Sequence, residues 1–286
     1  MLAPSMRKWR IVLAVLCCGA PSAAAPAQET AAGAPPPIQD NSFLLEEAYN
    51  QEPGIVQHIN LFRRDFRTGE WLAAFTQEYP ATGLAHQLSY TIPYRRIDAS
   101  GRSHDGLGDV ALNYRYQLVG SGETRLAATP RLTIFLPTGD FRRGLGSGSP
   151  GVQLGFAVSA AASEAWVFHG NLGASFTPSA RNTAGEKADI FGGYLGGSAI
   201  CLGLGRVNPM LEVLWTRDQL VEGARRVRSE STLTINPGVR WALDYRSGLQ
   251  IVPGLSVPIG IGPSAGEYGI LLYLSFEHPM WSAPAH

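Results

Sequence analysis

The stretch GDVALNYRYQL (residues 108–118) decides the fold class, because its side chains fall into two sets of opposite character. Val110, Leu112, Tyr114, Tyr116 and Leu118 form one set; Asp109, Ala111, Asn113, Arg115 and Gln117 form the other. A period of two is the signature of a β-strand, whose side chains alternate between faces. One face is therefore apolar or aromatic, and the other carries a carboxylate, amides and a guanidinium. In a soluble sandwich the apolar face turns inward and the polar face meets water. In a membrane barrel the apolar face turns outward to lipid and the polar face lines the interior.

The same split recurs along the chain. Leu88, Tyr90, Ile92 and Tyr94 alternate with Gln87, Ser89 and Thr91; Trp166, Phe168, Leu172 and Phe176 alternate with His169, Asn171, Ser175 and Thr177. Leu233, Ile235, Val239 and Trp241 alternate with Thr232, Thr234, Asn236 and Arg240. Twelve strands are predicted, over 55–65, 70–79, 85–95, 108–119, 124–137, 150–161, 164–177, 188–203, 206–217, 229–242, 248–260 and 267–277. The connections alternate too. Those at 80–84, 120–123, 162–163, 204–205 and 243–247 are short, whereas of the six alternating with them four, 96–107, 138–149, 178–187 and 218–228, are long and rich in Gly, Ser, Arg and Asp, and two, 66–69 and 261–266, are short. Short turns at one end and long loops at the other are the arrangement of outer-membrane barrels. Pro93, Pro130, Pro209, Pro237, Pro253 and Pro258 stand against it, because a proline cannot donate to a ladder and a closed barrel has no edge to hold it.

The N-terminus indicates export. Arg7, Lys8 and Arg10 precede the apolar run 11–20, and small residues at Ala23 and Ala25 supply a cleavage site, so residues 1–25 read as a secretory signal peptide. Its removal takes away three cations and no acid, leaving a slightly acidic chain with no electrostatic footprint for a nucleic-acid partner. Cys17 and Cys18 lie in the leader without the small residue before them that lipidation requires, and Cys201 alone remains, which excludes an internal disulfide framework. No other apolar run reaches the length of a membrane helix. Residues 26–40 read as a Pro-rich linker, and 41–54 (NSFLLEEAYNQEPG) as one or two helical turns serving as a plug or a periplasmic cap. The barrel is expected over 55–277, with a tail at 278–286.

The segments DNSFLLEEAYNQEPGIVQH (40–58), GLGDVALNY (106–114) and PRLTIFLPTGD (130–140) resemble the outer-membrane transporter family labelled as the MetA pathway of phenol degradation. The resemblance covers nearly all of the processed chain. It implies an antiparallel outer-membrane β-barrel that passes or binds small, apolar or aromatic, solutes. It brings no catalytic residues with it. The last strand, EYGILLYLSF (267–276), resembles the C-terminal signal read by the outer-membrane assembly machinery, although ten residues follow Phe276.

On this reading the cell outer membrane is the location, and outer-membrane lipid, the assembly machinery and a small-molecule solute are the partners. The polar phase of the strands supplies candidate lumen-lining residues: Asp109, Asn113, Arg115, Arg131, His169, Asn171, Glu212 and Arg240. They would either order water and select solutes in a passage, or pair with one another and fill the barrel. Twelve strands spaced about 4.8 Å and tilted about 40° enclose a backbone diameter of roughly 24 Å, much of it taken by side chains. Leu112→Arg is expected to harm such a barrel far more than Asn113→Arg. His58, His86, His104, His169, His278 and His286 show no metal-ligand spacing, and no cofactor is implied. Two other classes remain open. A lipid-modifying hydrolase would need a serine beside a lipid-facing histidine such as His86. A soluble β-rich periplasmic binding protein would not fractionate with outer membranes.

Overall fold

The computed structural model describes residues 41–99, 101–121 and 124–280; the expected leader and linker lie outside them, as do residues 281–286 of the tail. Fifteen strand segments are present: β1 (Ile55–Asp65), β2 (Trp71–Pro80), β3 (His86–Ala99), β4 (Arg102–Leu107), β5 (Val110–Tyr116), β6 (Leu126–Leu136), β7 (Gly151–Ser163), β8 (Trp166–Arg181), β9 (Lys187–Cys201), β10 (Val207–Gly223), β11 (Arg226–Trp241), β12 (Leu243–Asp244), β13 (Gln250–Ser256), β14 (Ile259–Gly260) and β15 (Gly269–Pro279). β4 and β5 both pair with β3 and form one barrel strand broken at residues 108–109. β13 and β14 both pair with β11 and form another, broken at 257–258, while two-residue β12 extends the ladder of β13. This makes twelve barrel strands, all antiparallel. The barrel closes where β1 pairs with β15 from Ile55↔Pro279 to Asp65↔Gly269.

The faces follow the alternation. Leu112 is 44% exposed on the outside, while Asn113 and Arg115 are 4% and 3% exposed on the inside. Leu88, Leu132, Leu154, Leu172, Leu195 and Leu272 add to an outward apolar belt. Trp71 stacks on Tyr94 near the end remote from the termini, and Trp166 on Phe168 near the other, as expected of aromatic girdles at the two membrane surfaces.

Two of the predicted long loops are strand. β10 and β11 run on to a two-residue turn at Ala224 and Arg225, and β3 continues into β4 where a loop over 96–107 was expected. Polar, glycine-containing sequence reads as loop, but cross-strand pairing continues through it, from Arg217↔Ser231 to Gly223↔Arg226 in the first case. Conversely, β5 stops at Tyr116 and β6 starts at Leu126, later than the expected start at 124.

The six prolines fall where a neighbouring ladder is interrupted. Pro93 lies opposite the break between β4 and β5, with its carbonyl accepting from the Gly108 N–H at 2.8 Å. Pro258 lies in the break between β13 and β14, and Pro237 faces it, accepting from the Val257 N–H at 3.0 Å. Pro130, Pro209 and Pro253 each sit one residue beyond the paired stretch on one side. The barrel thus places its missing donors at bulges and rims.

Candidate functional site

Residues 41–52 run through the barrel interior and are not helical. The expected helical turns do not form because side chains of the wall, rather than the segment's own carbonyls, satisfy its backbone. Glu212, fully buried on β10, accepts the N–H groups of Phe43 at 3.0 Å, Leu44 at 3.0 Å and Leu45 at 3.3 Å. Three successive N–H groups closing on one carboxylate make an anion nest of backbone. Asn236 on β11 steadies the same carboxylate at 2.7 Å. Asn171 on β8 pairs with the peptide of Glu46 as another strand would, accepting its N–H and donating to its carbonyl, both at 2.7 Å. Arg131 on β6 forms an ion pair with the Glu46 carboxylate. Arg115 on β5 donates to the carbonyls of Glu47 and Tyr49. Ser159 accepts the Ala48 N–H and Thr129 donates to the Ala48 carbonyl, each at 2.7 Å. Gln87 accepts the Gln51 N–H at 2.7 Å.

The apolar side chains of the segment have steric seats. Phe43 lies over Gly238 and Gly254, where an added Cβ would stand 2.8 and 2.4 Å from its ring. Leu45 occupies the same kind of seat over Gly196. Phe43 also packs with Val167, Ile200, Met210, Val252, Leu271 and Tyr273 in a buried cluster. A glycine inside a strand often marks such close approach; these three face inward, and that phase was the available signal.

The sequence-predicted residues divide accordingly. Arg115, Arg131, Asn171 and Glu212 converge on the segment. Asn113 supports them at one remove: its carbonyl accepts from Arg131 at 2.7 Å and Thr133 at 2.9 Å, and its amide donates to Ser89 at 3.1 Å. Asn113→Arg therefore carries a cost of its own, because the new guanidinium would confront Arg131 and remove its acceptor. His169 shares a 2.7 Å hydrogen bond with Ser159 and meets the Tyr49 ring edge-on. Arg240 is fully buried on the inner face of β11, in register with Gly254.

Asp109 has a separate task at the barrel end remote from the termini. One carboxylate oxygen accepts the Gly139 N–H at 3.0 Å; the other accepts the Ser147 N–H and hydroxyl, both at 2.7 Å. Thr138 bridges the strand break, donating to the Gly108 carbonyl at 2.8 Å and accepting the Val110 N–H at 2.9 Å. Inward-facing Arg95 donates to the carbonyls of Gly144 and Leu145 at 3.1 and 2.8 Å. Loop 138–149 is thereby folded against the inner wall, with Leu145 buried. Asp109→Ala removes three hydrogen bonds, each loss leaving a donor that costs about 1–3 kcal/mol if it stays buried. Faster tryptic cleavage after exposed Arg142 and Arg143 in intact cells, with the barrel still heat-modifiable on gels, is the expected result.

Beside the inner segment lies a cavity of about 330 Å³, lined by Leu44, Glu46, Asn171, Tyr194, Leu214 and Asp218 among others. Outside, His86 bonds the Tyr114 hydroxyl at 2.7 Å.

A closed twelve-stranded antiparallel barrel with an apolar exterior and a hydrogen-bonded polar interior defines an outer-membrane β-barrel protein. Residues 62–252 match the family described as "Putative MetA-pathway of phenol degradation", and the chain belongs to that family. Its fold is similar to that of an outer membrane channel from Pseudomonas putida F1, with a TM-score of 0.59 at 13% identity over 81% of this chain and 97% of that one. It is also similar to the NanC porin, with a TM-score of 0.51 at 7% identity over 77% of this chain and 98% of that one. No curated protein matches the sequence.

Proposed function

We propose that the protein is a non-enzymatic outer-membrane channel for small solutes, closed by residues 41–51 acting as an internal plug. The leader directs export, the assembly machinery inserts the barrel into outer-membrane lipid, and the plug governs passage. One observation carries this reading: the segment fills the interior, yet is held mostly by hydrogen bonds between its backbone and polar side chains of the wall. Water can replace such bonds at small net cost, since an internal hydrogen bond is worth only about 0.5–1.5 kcal/mol over its hydrated alternative. The adjoining cavity, about 330 Å³ with Tyr194, Leu44 and Leu214 beside Asp218 and Asn171, lies within the range of small-molecule sites and supports a partly apolar solute. The bond between His86 and a tyrosine, where a hydrolase would need a serine, supports the non-enzymatic reading.

Single-channel recording in planar bilayers tests the proposal. The full chain is expected to give small conductance steps, and a chain lacking residues 41–51 steps several times larger. Equal conductance of the two forms would remove the plug from the mechanism, and silence of both would remove the channel.

A further inference from the structure

We infer that the outer surface of β1–β3 and β15 carries a binding site for a phosphorylated acyl lipid of the outer leaflet, with two guanidinium groups for the phosphates and an apolar groove beneath them for a chain. This inference needs only the barrel and its orientation; it does not depend on whether the interior conducts. At the end remote from the termini, Arg64, Trp71 and Arg96 stand in register across three adjacent strands, Arg64↔Trp71 and Trp71↔Arg96. All three belong to the outward phase, and both arginines are exposed. Among the described residues neither guanidinium is taken up by an ion pair, whereas neighbouring Arg67 is held by Glu267 at 3.1 Å. Asp105 lies opposite Arg96 in register, but its carboxylate accepts the Tyr94 hydroxyl at 2.9 Å. Guanidinium groups present paired donors that match phosphate oxygens.

One rung below, Phe62, Ala73 and Tyr94 lie in register, and one further, Asn60, Phe75 and Ile92. The small Ala73 between Phe62 and Tyr94 leaves a groove of about 490 Å³, closed on the far side by Leu272 and Leu274. Asn60 is its polar member, and its amide turns to the Leu274 carbonyl at 3.5 Å. An outward arginine on a barrel is costly at mid-membrane but belongs at the interface, where long basic side chains reach the headgroups. Headgroup cations directly above a depression sized for a chain fit one occupant, an anionic lipid, better than a free ion or a soluble partner.

The test uses the processed full chain purified in non-ionic detergent and incubated with lipid A, a doubly phosphorylated acylated disaccharide, with retained lipid read by native mass spectrometry. The wild type is expected to hold lipid A, and Arg64→Ala with Arg96→Ala to weaken retention by about tenfold or more. Ala73→Trp, which fills the groove, and enzymatically dephosphorylated lipid A with the wild type should each lower retention comparably. Arg217→Ala, which removes another exposed outward arginine two residues beyond Trp215 on β10, should leave retention unchanged. Gel mobility before and after heating verifies that each variant is a folded barrel. Undiminished retention by the double arginine variant overturns the inference. So does displacement of the lipid by inorganic phosphate alone, which would indicate a free-anion site, and so does an equal loss from Arg217→Ala, which would indicate a general basic belt.

Discussion

Glu212→Ala is expected to open the barrel nearly as fully as deleting residues 41–51. The carboxylate receives the N–H groups of Phe43, Leu44 and Leu45 at 3.0–3.3 Å and has no exposure to solvent. Without it, three buried donors lose their acceptor, and each unsatisfied donor costs about 1–3 kcal/mol. Even with partial relaxation, a bias of about 3–5 kcal/mol against the seated segment lowers its seated-to-unseated ratio by roughly two to nearly four orders of magnitude. The measurement is single-channel conductance, joined to the reaction of a cysteine at position 44 with a small water-soluble thiol reagent in a Cys201→Ser background. Glu212→Gln keeps one acceptor oxygen and should fall between the wild type and the alanine variant. Wild-type conductance and unaltered labelling in Glu212→Ala would mean that Phe43 and the apolar cluster hold the segment by themselves.

Leu112→Arg has the second large expected effect, on the stability of the barrel. Leu112 projects outward near the middle of β5, with outward Ile134 of β6 and Tyr90 of β3 in register beside it. A cation facing lipid near the midplane costs about 2–4 kcal/mol. The folded, fast-migrating gel band should therefore be lost at a clearly lower temperature than in the wild type. Leu112→Ala, which only reduces apolar contact, should shift that transition less. Identical transitions for the arginine and alanine variants would place this side chain outside the hydrocarbon region.

Much of this architecture is legible in the sequence. Side-chain alternation of period two is a local property, and it put Leu112, Tyr114 and Tyr116 on one side and Asn113 and Arg115 on the other, as the structure does. β1 matches the predicted 55–65 to the residue, because Asp65 and the glycine-containing turn after it supply a local stop. Where boundaries failed, as at β10 and β11, cross-strand pairing within the hairpin carried the strands through sequence with the composition of a loop. The prolines looked like evidence against closure, because the strand breaks and ladder ends that accommodate them are set by pairing with neighbouring strands.

The interior was not legible in the same way. Alternation assigns a side chain to the inner face and is silent about what it meets there. Glu212 and the N–H of Phe43 are 169 residues apart in sequence, and Asn171 and Glu46 are 125 apart. No local pattern encodes such encounters. The sequence by itself determined the run of about twelve strands and the two faces of each, because those follow from the alternation of side chains along a strand. Only the tertiary structure decided that Asp109 holds an inward-folded loop and that Arg115, Arg131, Asn171 and Glu212 hold residues 41–52. The reason is physical: backbone polar groups enclosed within a membrane barrel require partners, and closure of β1 on β15 brings those partners around them.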